Sequence, residues 1–329
     1  MLSLNCEKLS FVRNQKKHRR QNTVNHSSLK IRLQDMFLKI ILQLLLALLI
    51  LAHPVFADDS TKTSSDPVDI STKILGGTES KAGDWPWMAA LLRSAQPNMY
   101  LAQYCSGVLI DKNWILTAAH CVKGLTKDDI NVAVGAFDLK NFSGSRIPAK
   151  SLHIHPGYNP TTLTDDIALI ELSQPSSQPT ITLFSGKSIE DAPVSLLGRI
   201  LTAIGWGLAD GSTDWYWPER LRQVNLPVVA DSYCNNIYPS PLIGSQLCAG
   251  WYEGKDVCSG DSGGPVVTSI DNRWTHVGLV SYGAPCKDYF GWYGVYTRTS
   301  AFVDFIKGYV PGARFTGKPP LPWLMLLMN

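Results

Sequence analysis

The sequence has no run of apolar residues long enough to cross a membrane without interruption. Its longest stretch free of polar residues, Leu44 to Ala52, has nine residues, and counting from Ile40 gives thirteen, whereas a spanning helix needs about 20. There is also no C-x-x-C pair and no Cys/His cluster at the spacing of zinc ligands. We therefore expect no metal site, and nothing indicates another cofactor.

A strongly basic surface is missing as well. The formal net charge is +3, but residues 1–73 hold 11 Lys and Arg against 6 Asp and Glu, while residues 74–329 hold 19 against 21. The positive excess therefore belongs to the first part of the chain. The remainder is nearly neutral, so a nucleic-acid partner is not expected.

The first 73 residues have the layout of a leader and a propeptide. Residues 36–57 join a short basic start to a leucine-rich run that ends in Val-Phe-Ala, which predicts a signal peptide cut after Ala57 within a leader of residues 1–57. A signal anchor is the alternative, because the basic residues 16–20 would hold the preceding segment in the cytoplasm. Residues 58–73 are polar and are interpreted as a propeptide. The protein is expected to be secreted, or to be a single-pass membrane precursor if the leader is an anchor.

Seven cysteines follow an informative distribution. Six lie between Cys105 and Cys286, while Cys6 lies alone in the leader. An even set downstream of a secretion signal predicts three disulfides in an oxidising compartment. Six cysteines allow fifteen connectivities, so the spacing alone leaves the pairing open.

From residue 74 onward, apolar residues fall in short runs separated by Gly, Pro, Asn and Asp. The runs are Met88–Leu92, Gly107–Ile110, Trp114–Thr117, Val132–Phe137, Ile167–Leu172, Ile200–Ile204, Val224–Val229, Pro265–Thr268 and Val277–Val280. Many short strands without helical periodicity predict an all-β fold, either a sandwich or a barrel. Only Thr299–Val310 shows the spacing of a helix, and residues 311–329 form a tail.

Three segments carry residues suited to nucleophilic catalysis. Gly260–Pro265 reads GDSGGP, and its glycines allow a tight turn that presents backbone N–H groups around the serine. Such a loop is, by itself, more often only a turn. However, Thr117–Cys121 reads TAAHC and Asp166–Leu169 reads DIAL, so a histidine and an acid accompany the serine.

With Ile74–Gly77 (ILGG) and Gly205–Gly207 (GWG), these motifs resemble those of the chymotrypsin-fold serine proteases, and most closely the trypsin-like ones. The motifs occur in the family's order, His then Asp then Ser, and the resemblance extends from Ile74 to about residue 310. It implies a protease domain over residues 74–310. It also implies two six-stranded antiparallel β-barrels with the active site between them and a C-terminal helix.

The resemblance assigns a role to each catalytic residue. Ser262 would be the nucleophile, His120 the general base and later the general acid, and Asp166 the residue that fixes the histidine tautomer. The adjacent Asp165 is the other candidate for this role, but the family places its aspartate directly before Ile-Ala-Leu, which selects Asp166. The oxyanion hole would be formed by the backbone N–H groups of Gly260 and Ser262, each worth about 3 kcal/mol of the barrier.

The resemblance also implies the disulfides and the remaining surface features. The pairings would be Cys105–Cys121, Cys234–Cys248 and Cys258–Cys286. Ala136 and Phe137 stand where some relatives carry calcium ligands, which again predicts no metal. Asn141 begins the sequon Asn-Phe-Ser and is a candidate glycosylation site.

Specificity is predicted from Asp256, six residues before Ser262, where trypsin-like enzymes have the floor of the primary pocket. A carboxylate in a narrow slot favours a guanidinium, which it binds with two parallel hydrogen bonds. Val257 replaces a serine of trypsin, so lysine loses a partner and Arg is preferred. The other expected substrate-binding residues are Ser281, Tyr282, Gly283 and Gly294.

Activation is expected to require cleavage between Lys73 and Ile74, because the family pairs the new α-ammonium with the carboxylate at Asp261. Lys73→Gln is then expected to give an inactive precursor. The expected partners of this monomer are protein or peptide substrates and protein inhibitors. Two alternatives remain open at this point: an inactive homologue that serves as a binding module, and a protease with chymotrypsin-like or elastase-like specificity.

Overall fold

The computed structural model describes residues 77–187, 194–210, 215–250, 256–283 and 293–317. These residues belong to one compact unit, Val68–Asn329. The predicted leader, propeptide and cleavage site, with Lys73 and Ile74, lie outside the described residues. The same holds for Cys6, for Cys286 and for the tail from residue 318.

Sixteen strands make up most of the described chain. In chain order they are β1 Thr78–Glu79, β2 Met88–Arg93, β3 Gln103–Asp111, β4 Trp114–Thr117, β5 Ile130–Val134, β6 Ile147–Ile154, β7 Ala168–Leu172, β8 Thr182–Leu183, β9 Ile200–Gly205, β10 Ala209–Asp210, β11 Trp215–Tyr216, β12 Arg222–Pro227, β13 Gln246–Ala249, β14 Pro265–Ile270, β15 Arg273–Tyr282 and β16 Gly294–Arg298. Every predicted apolar run contributes to one of them, and the all-β prediction is confirmed.

The first barrel consists of six antiparallel strands that close in the order β2-β3-β4-β7-β6-β5. Its interior is filled by apolar side chains such as those of β2, whose first five residues, MAALL, are buried. Removing these apolar side chains from water is the main contribution to the stability of such a core, about 25 cal/mol per Å² of apolar surface buried.

The second barrel is a sheet that curls in the order β1-β12-β9-β14-β15-β16-β13. Its edges meet where Val228, just after β12, forms a bridge with Ala249 of β13. Six strands, β12 to β13, thus form the second predicted barrel, which is closed by this bridge and not by a full ladder. One departure from the antiparallel pattern is β8, which pairs with β15 in parallel.

Helices are few and short in the described part of the chain. They are α1 Met99–Ala102, α2 Asp231–Asn235 and α3 Val303–Tyr309, and a 3₁₀ turn at Thr299–Phe302 leads directly into α3. The predicted C-terminal helix is therefore present, with a tighter first turn than an α-helix. No helix within the described residues has the length and apolar character needed to cross a membrane.

Two disulfides lie within the described residues, Cys105–Cys121 in the first barrel and Cys234–Cys248 in the second. They are two of the three pairings that the family resemblance implies. Cys258 is also disulfide-bonded, and its expected partner, Cys286, lies outside the described residues.

Candidate active site

His120 lies where β4 ends, in the short 3₁₀ turn Ala119–Cys121. The chain is fixed there because Cys121 is bonded to Cys105 of β3, one residue beyond the histidine. The imidazole is about a quarter exposed. The first barrel thus presents this ring at its surface on a rigid support.

Asp166 precedes β7 and is completely buried. Its Oδ1 accepts a hydrogen bond from the His120 backbone N–H at 2.9 Å, and its Oδ2 lies 2.7 Å from Nδ1 of the same residue. The Ser281 hydroxyl donates to Oδ2 at 2.6 Å, and the Thr297 hydroxyl donates to the Asp166 carbonyl at 2.9 Å. Donors from both barrels therefore hold the carboxylate against the imidazole.

Asp165 occupies a different environment from its neighbour. It has φ of 52°, and its carboxylate accepts a hydrogen bond from the Ser245 hydroxyl at 2.8 Å. The positive φ turns the chain so that consecutive aspartates face different partners. The pairing with His120 therefore falls to Asp166, the residue chosen from the sequence.

The loop around Ser262 is bound to the first barrel. The Ser106 N–H of β3 donates to the Ser262 carbonyl at 2.8 Å, and Gln103 Nε2 donates to the Gly260 carbonyl at 2.9 Å. Gly260 has φ of 96°, a conformation that glycine adopts without strain. Within the described part of the chain, the N–H groups of Gly260 and Ser262 have no protein acceptor. Two donors in one tight loop can receive a developing oxyanion.

The structure does not join the serine hydroxyl to the imidazole. Among the described residues Ser262 Oγ has no hydrogen bond to His120, whose Nε2 lies 3.6 Å from Sγ of Cys121. Such bonds are often long before substrate binds. The two sulfurs beside this imidazole cannot serve as thiolate ligands of a metal ion, because Cys105 and Cys121 are oxidised to a disulfide.

Asp256 lies six residues before Ser262, at the start of the chain that leads into the serine loop. Its Oδ1 accepts a hydrogen bond from the Val257 N–H at 2.7 Å. A Cβ added at Gly283 would lie 3.9 Å from Asp256 Oδ2, so this glycine keeps the space beside the carboxylate free of a side chain. Burial raises the pKa of Asp256 to about 7, with the nearby Asp261 carboxylate adding to the increase. A bound cation would relieve this cost.

The side chains of the predicted substrate-binding residues do not all lie beside Asp256. The Ser281 side chain is buried and donates to Asp166, so any direct contact of this residue with substrate would involve its backbone. Tyr282 is half-buried and packs edge-to-face on Tyr238 at 5.3 Å. A side chain at Gly294 would lie 2.8 Å from the Tyr296 hydroxyl, which explains the need for glycine there.

Tyr296 is a buried neighbour of Asp256 that the sequence reasoning missed. Its ring is buried, and its hydroxyl has no hydrogen-bond partner among the described residues. Burial and the neighbouring Asp256 carboxylate raise its pKa well above the usual range. Gln103 and Thr297 were missed as well. All three residues lie on strands whose sequences carry no motif.

Asp261 lies beneath the serine loop, 1% exposed. It accepts hydrogen bonds from the N–H groups of Gly207 at 2.7 Å and Cys258 at 2.9 Å. A Cβ at Gly207 would overlap its carboxylate, so the GWG motif provides the space for it. Burial raises the pKa of Asp261 to about 6 against these hydrogen bonds.

A cleft of about 280 Å³ lies beside the serine loop, next to the side chain of Gln103. The Tyr100 hydroxyl donates to the Trp217 carbonyl at 2.8 Å and joins the two walls. The cleft is lined by Tyr100, Leu101, Gln103, Leu139, Trp206, Trp217 and Pro218.

The candidate glycosylation residue, Asn141, is exposed, and its side-chain amide donates a hydrogen bond to Asp138 at 3.0 Å.

Two β-barrels that share a His–Asp pair, with a serine in a glycine-rich loop between them, define the class of two-barrel serine endopeptidases. The family model described as Trypsin matches residues 74–306. The chain belongs to the trypsin family.

Curated relatives support the same assignment. Vitamin K-dependent protein C of Mus musculus is 33% identical over 255 residues, which cover 74% of this chain and 53% of the relative. The protein of the same name from Rattus norvegicus is 34% identical over 261 residues, 76% of this chain and 55% of the relative. Clotting factor C of Tachypleus tridentatus is 33% identical over 267 residues, 72% of this chain and 25% of the relative. The chain thus spans about half, or less, of the length of these relatives.

Proposed function

We propose that this protein is a serine endopeptidase that cleaves after Arg, and less well after Lys. The observation that carries the proposal is the fully buried Asp166 carboxylate, which is bonded to Nδ1 of an imidazole and supported by donors from both barrels. A buried carboxylate bonded to Nδ1 fixes the tautomer of the imidazole and can stabilise an imidazolium.

The proposed reaction begins when Ser262 Oγ attacks the carbonyl carbon of the substrate. His120 Nε2 takes the serine proton, and the new oxyanion accepts hydrogen bonds from the N–H groups of Gly260 and Ser262. The imidazolium then gives the proton to the departing amine, which leaves an acyl-enzyme. Water, deprotonated by His120, attacks the ester and releases the second product and the free serine.

Arg specificity is supported by Asp256. Its carboxylate is enclosed by protein and has a raised pKa, so an unpaired negative charge is unfavourable there. A guanidinium would form two parallel charge-assisted hydrogen bonds with it. Val257 offers no side-chain hydroxyl to an ammonium, which favours Arg over Lys.

The proposal includes the route by which the enzyme is made and released. The leader would direct secretion, and cleavage between Lys73 and Ile74 would free an α-ammonium for the buried Asp261 carboxylate. Residues 58–73 contain no cysteine, so no disulfide would tether the cleaved domain to its propeptide. Protein substrates and protein inhibitors would be the partners of the secreted domain.

Labelling with a fluorescent organophosphonate tests the proposal directly. The full chain is secreted, cleaved after Lys73 and incubated with the probe, and the expected result is one label per chain at Ser262. Ser262→Ala is the control and should remain unlabelled. A cleaved, folded wild-type protein that takes no label would identify it instead as an inactive homologue.

A further inference from the structure

The expected oxyanion donor Gly260 lies in a turn for which two forms are possible. The Asp261 N–H donates to the Cys258 carbonyl at 3.0 Å, which closes a four-residue turn with Ser259 and Gly260 at its centre. The φ of 96° at Gly260 makes this a type II turn. A type I turn has the same ends, but its central peptide is rotated by about half a turn. The direction of the Gly260 N–H therefore depends on the orientation of the Ser259–Gly260 peptide.

One hydrogen bond holds this peptide in the type II orientation. The Leu208 N–H donates to the Ser259 carbonyl at 2.8 Å. Because the C=O and N–H of a trans peptide point in opposite directions, the Gly260 N–H is directed away from Leu208. Rotation to the type I form would break the bond from Leu208 and leave the Ser262 N–H as the one donor of the oxyanion hole. Losing one such donor lowers kcat by about 10²- to 10³-fold.

Leu208 and Trp217 form the base of a short hairpin that contacts this peptide on both of its residues. Leu208 directly precedes β10, Trp217 directly follows β11, and the two strands pair with each other. The Trp217 indole lies against Gly260, where an added Cβ would come within 2.7 Å of its Cζ3. The hairpin base thus binds the Ser259 carbonyl through Leu208 and covers Gly260 through Trp217.

The first barrel fastens Trp217 in this position. The Tyr100 hydroxyl of α1 donates to the Trp217 carbonyl at 2.8 Å, and Gln103, three residues later, donates to the Gly260 carbonyl at 2.9 Å. The Trp217 side chain is 46% exposed, so its ring contributes little to a hydrophobic core. Its contact with Gly260 and the bond from Tyr100 are therefore what explains its place beside the serine loop.

We propose that Trp217 is a positioning residue that keeps the Ser259–Gly260 peptide in its type II form. Its indole holds the hairpin base against the turn and shields the Leu208–Ser259 hydrogen bond from water, and a hydrogen bond is electrostatically stronger where water is excluded. The Tyr100 hydroxyl anchors the indole to the first barrel. The Gly260 N–H then stays directed at the developing oxyanion. The inference rests on the proposed function and adds to it two residues that lie outside every catalytic motif.

The first test measures kcat and KM separately on an Arg peptide, with the chain cleaved after Lys73. Trp217→Ala should lower kcat at least about tenfold, a part of what one oxyanion donor contributes. KM should stay within about threefold of wild type, since the oxyanion forms only in the transition state. Tyr100→Phe should lower kcat about fivefold, the net effect of one neutral hydrogen bond.

Two further variants control this measurement. Trp217→Phe keeps an aromatic ring against Gly260 and should recover most of the kcat that Trp217→Ala loses. Trp274→Ala removes a tryptophan of similar exposure, 48%, from β15, where it packs on Trp85, and should leave kcat within about twofold of wild type. A Trp217→Ala enzyme with kcat within threefold of wild type overturns the proposal.

Two inhibitors separate the oxyanion hole from the rest of the site. A peptidyl-arginine trifluoromethyl ketone would form a tetrahedral oxyanion with Ser262 and depends on both N–H donors. Benzamidine is a small amidinium that would bind the Asp256 carboxylate without forming an oxyanion. Trp217→Ala should weaken the ketone by about the factor that it takes from kcat, and should leave the Ki of benzamidine within about twofold. Equal weakening of both inhibitors means that the whole site is damaged, and overturns the proposal.

Hydrogen exchange at the Leu208 amide needs no catalysis and separates this proposal from the proposed function. In a Ser262→Ala chain cleaved after Lys73, NMR should show this amide exchanging at least about tenfold faster when Trp217→Ala is added, because its bond to the Ser259 carbonyl opens more often. Trp274→Ala should leave the rate unchanged. A rate that Trp217→Ala does not alter overturns the proposal, even if the wild-type enzyme is active. If the cleaved wild-type enzyme cuts no Arg peptide, the proposed function fails, and this rate still decides whether Trp217 holds the turn.

Discussion

The two barrels carry their ionisable groups very differently. Among the described residues, the first barrel and its connections bury one charged group, Asp166, whose carboxylate is held by hydrogen bonds from both barrels. The second buries Arg222, Asp261 and His276, and encloses Asp256 as well. The first barrel is closed by complete ladders, whereas the second is closed by a single bridge.

Buried polar atoms without a hydrogen bond do not distinguish the two barrels. Among the described residues they are the Tyr104 hydroxyl and Arg146 Nε in the first barrel and its connections, and Arg222 Nε, His276 Nε2 and the Tyr296 hydroxyl in the second. Leaving such an atom buried without a partner costs free energy of folding. The difference between the barrels therefore lies in the number of buried ionisable residues.

The largest expected effect comes from removing the Asp166 carboxylate, which orients His120. Asp166→Asn should lower kcat by about 10⁴-fold, as the same change does in the Ser-His-Asp template, because the amide favours the wrong tautomer of His120. Asp165→Asn is the matched control and should leave kcat within about threefold of wild type. Single-turnover and steady-state kinetics on one Arg peptide measure both. Similar losses in the two variants would contradict the separation of these neighbours.

Removing the pocket charge of the second barrel should have the next largest effect. Asp256→Ser should lower kcat/KM on Arg peptides by about 10²- to 10³-fold, since the guanidinium would be buried without its carboxylate. Labelling by a small organophosphonate without a basic group should stay close to wild type. Loss of labelling together with Arg cleavage would mean that the substitution had damaged the active site and not only the pocket.

The sequence predicted the fixed parts of the molecule better than the charged ones. Apolar runs identified β2, β4 and β9 because their side chains are buried on both faces or nearly so. β6 was missed because Lys, Ser and His interrupt the apolar residues of its sequence, IPAKSLHI, and only one of its residues is buried. β16 was missed because GVYTR is short and mixed in character, although four of its five residues are buried.

The candidate site shows the same limit. Motifs identified His120, Asp166 and Ser262, because each lies in a short segment of unusual residues. The partners that hold the site, such as Gln103 and Thr297, lie on strands with no local signal. Their roles depend on contacts between residues more than 100 positions apart, which no local pattern reveals.

The pH dependence of the free energy of unfolding tests the buried histidine of the second barrel, His276. Burial lowers the pKa of His276 to about 3, whereas an unfolded histidine has a pKa near 6.5. Between these values the unfolded state binds the proton and the folded state does not, so the free energy of unfolding falls as pH decreases. The slope contributed by this residue should be about 1.4 kcal/mol per pH unit below pH 6.5.

His276→Gln should remove this contribution, and denaturant titrations at pH 7, 6 and 5 would measure it. His153→Gln, on β6 of the first barrel, is the matched control because the ring of His153 is only half-buried. An unchanged slope in His276→Gln would show that the acid sensitivity arises elsewhere.

The smallest expected effect concerns the neighbour of the pocket carboxylate. Val257→Ser should narrow the ratio of kcat/KM for matched Arg and Lys peptides by about tenfold, because the new hydroxyl can accept a hydrogen bond from the lysine ammonium. Val257→Ala keeps the position apolar and should leave the ratio near wild type. A ratio unaffected by the serine would mean that Val257 does not decide between the two cations.

The central claim, that the chain is a serine endopeptidase whose second barrel selects a cation, is tested most directly by a cleavage profile. The chain cleaved after Lys73 is incubated with a peptide library that contains every residue before the scissile bond, and the products are identified by mass spectrometry. The account predicts cleavage after Arg first and Lys second. Preferred cleavage after Phe, Leu or Ala would contradict it and would assign a chymotrypsin-like or elastase-like specificity instead.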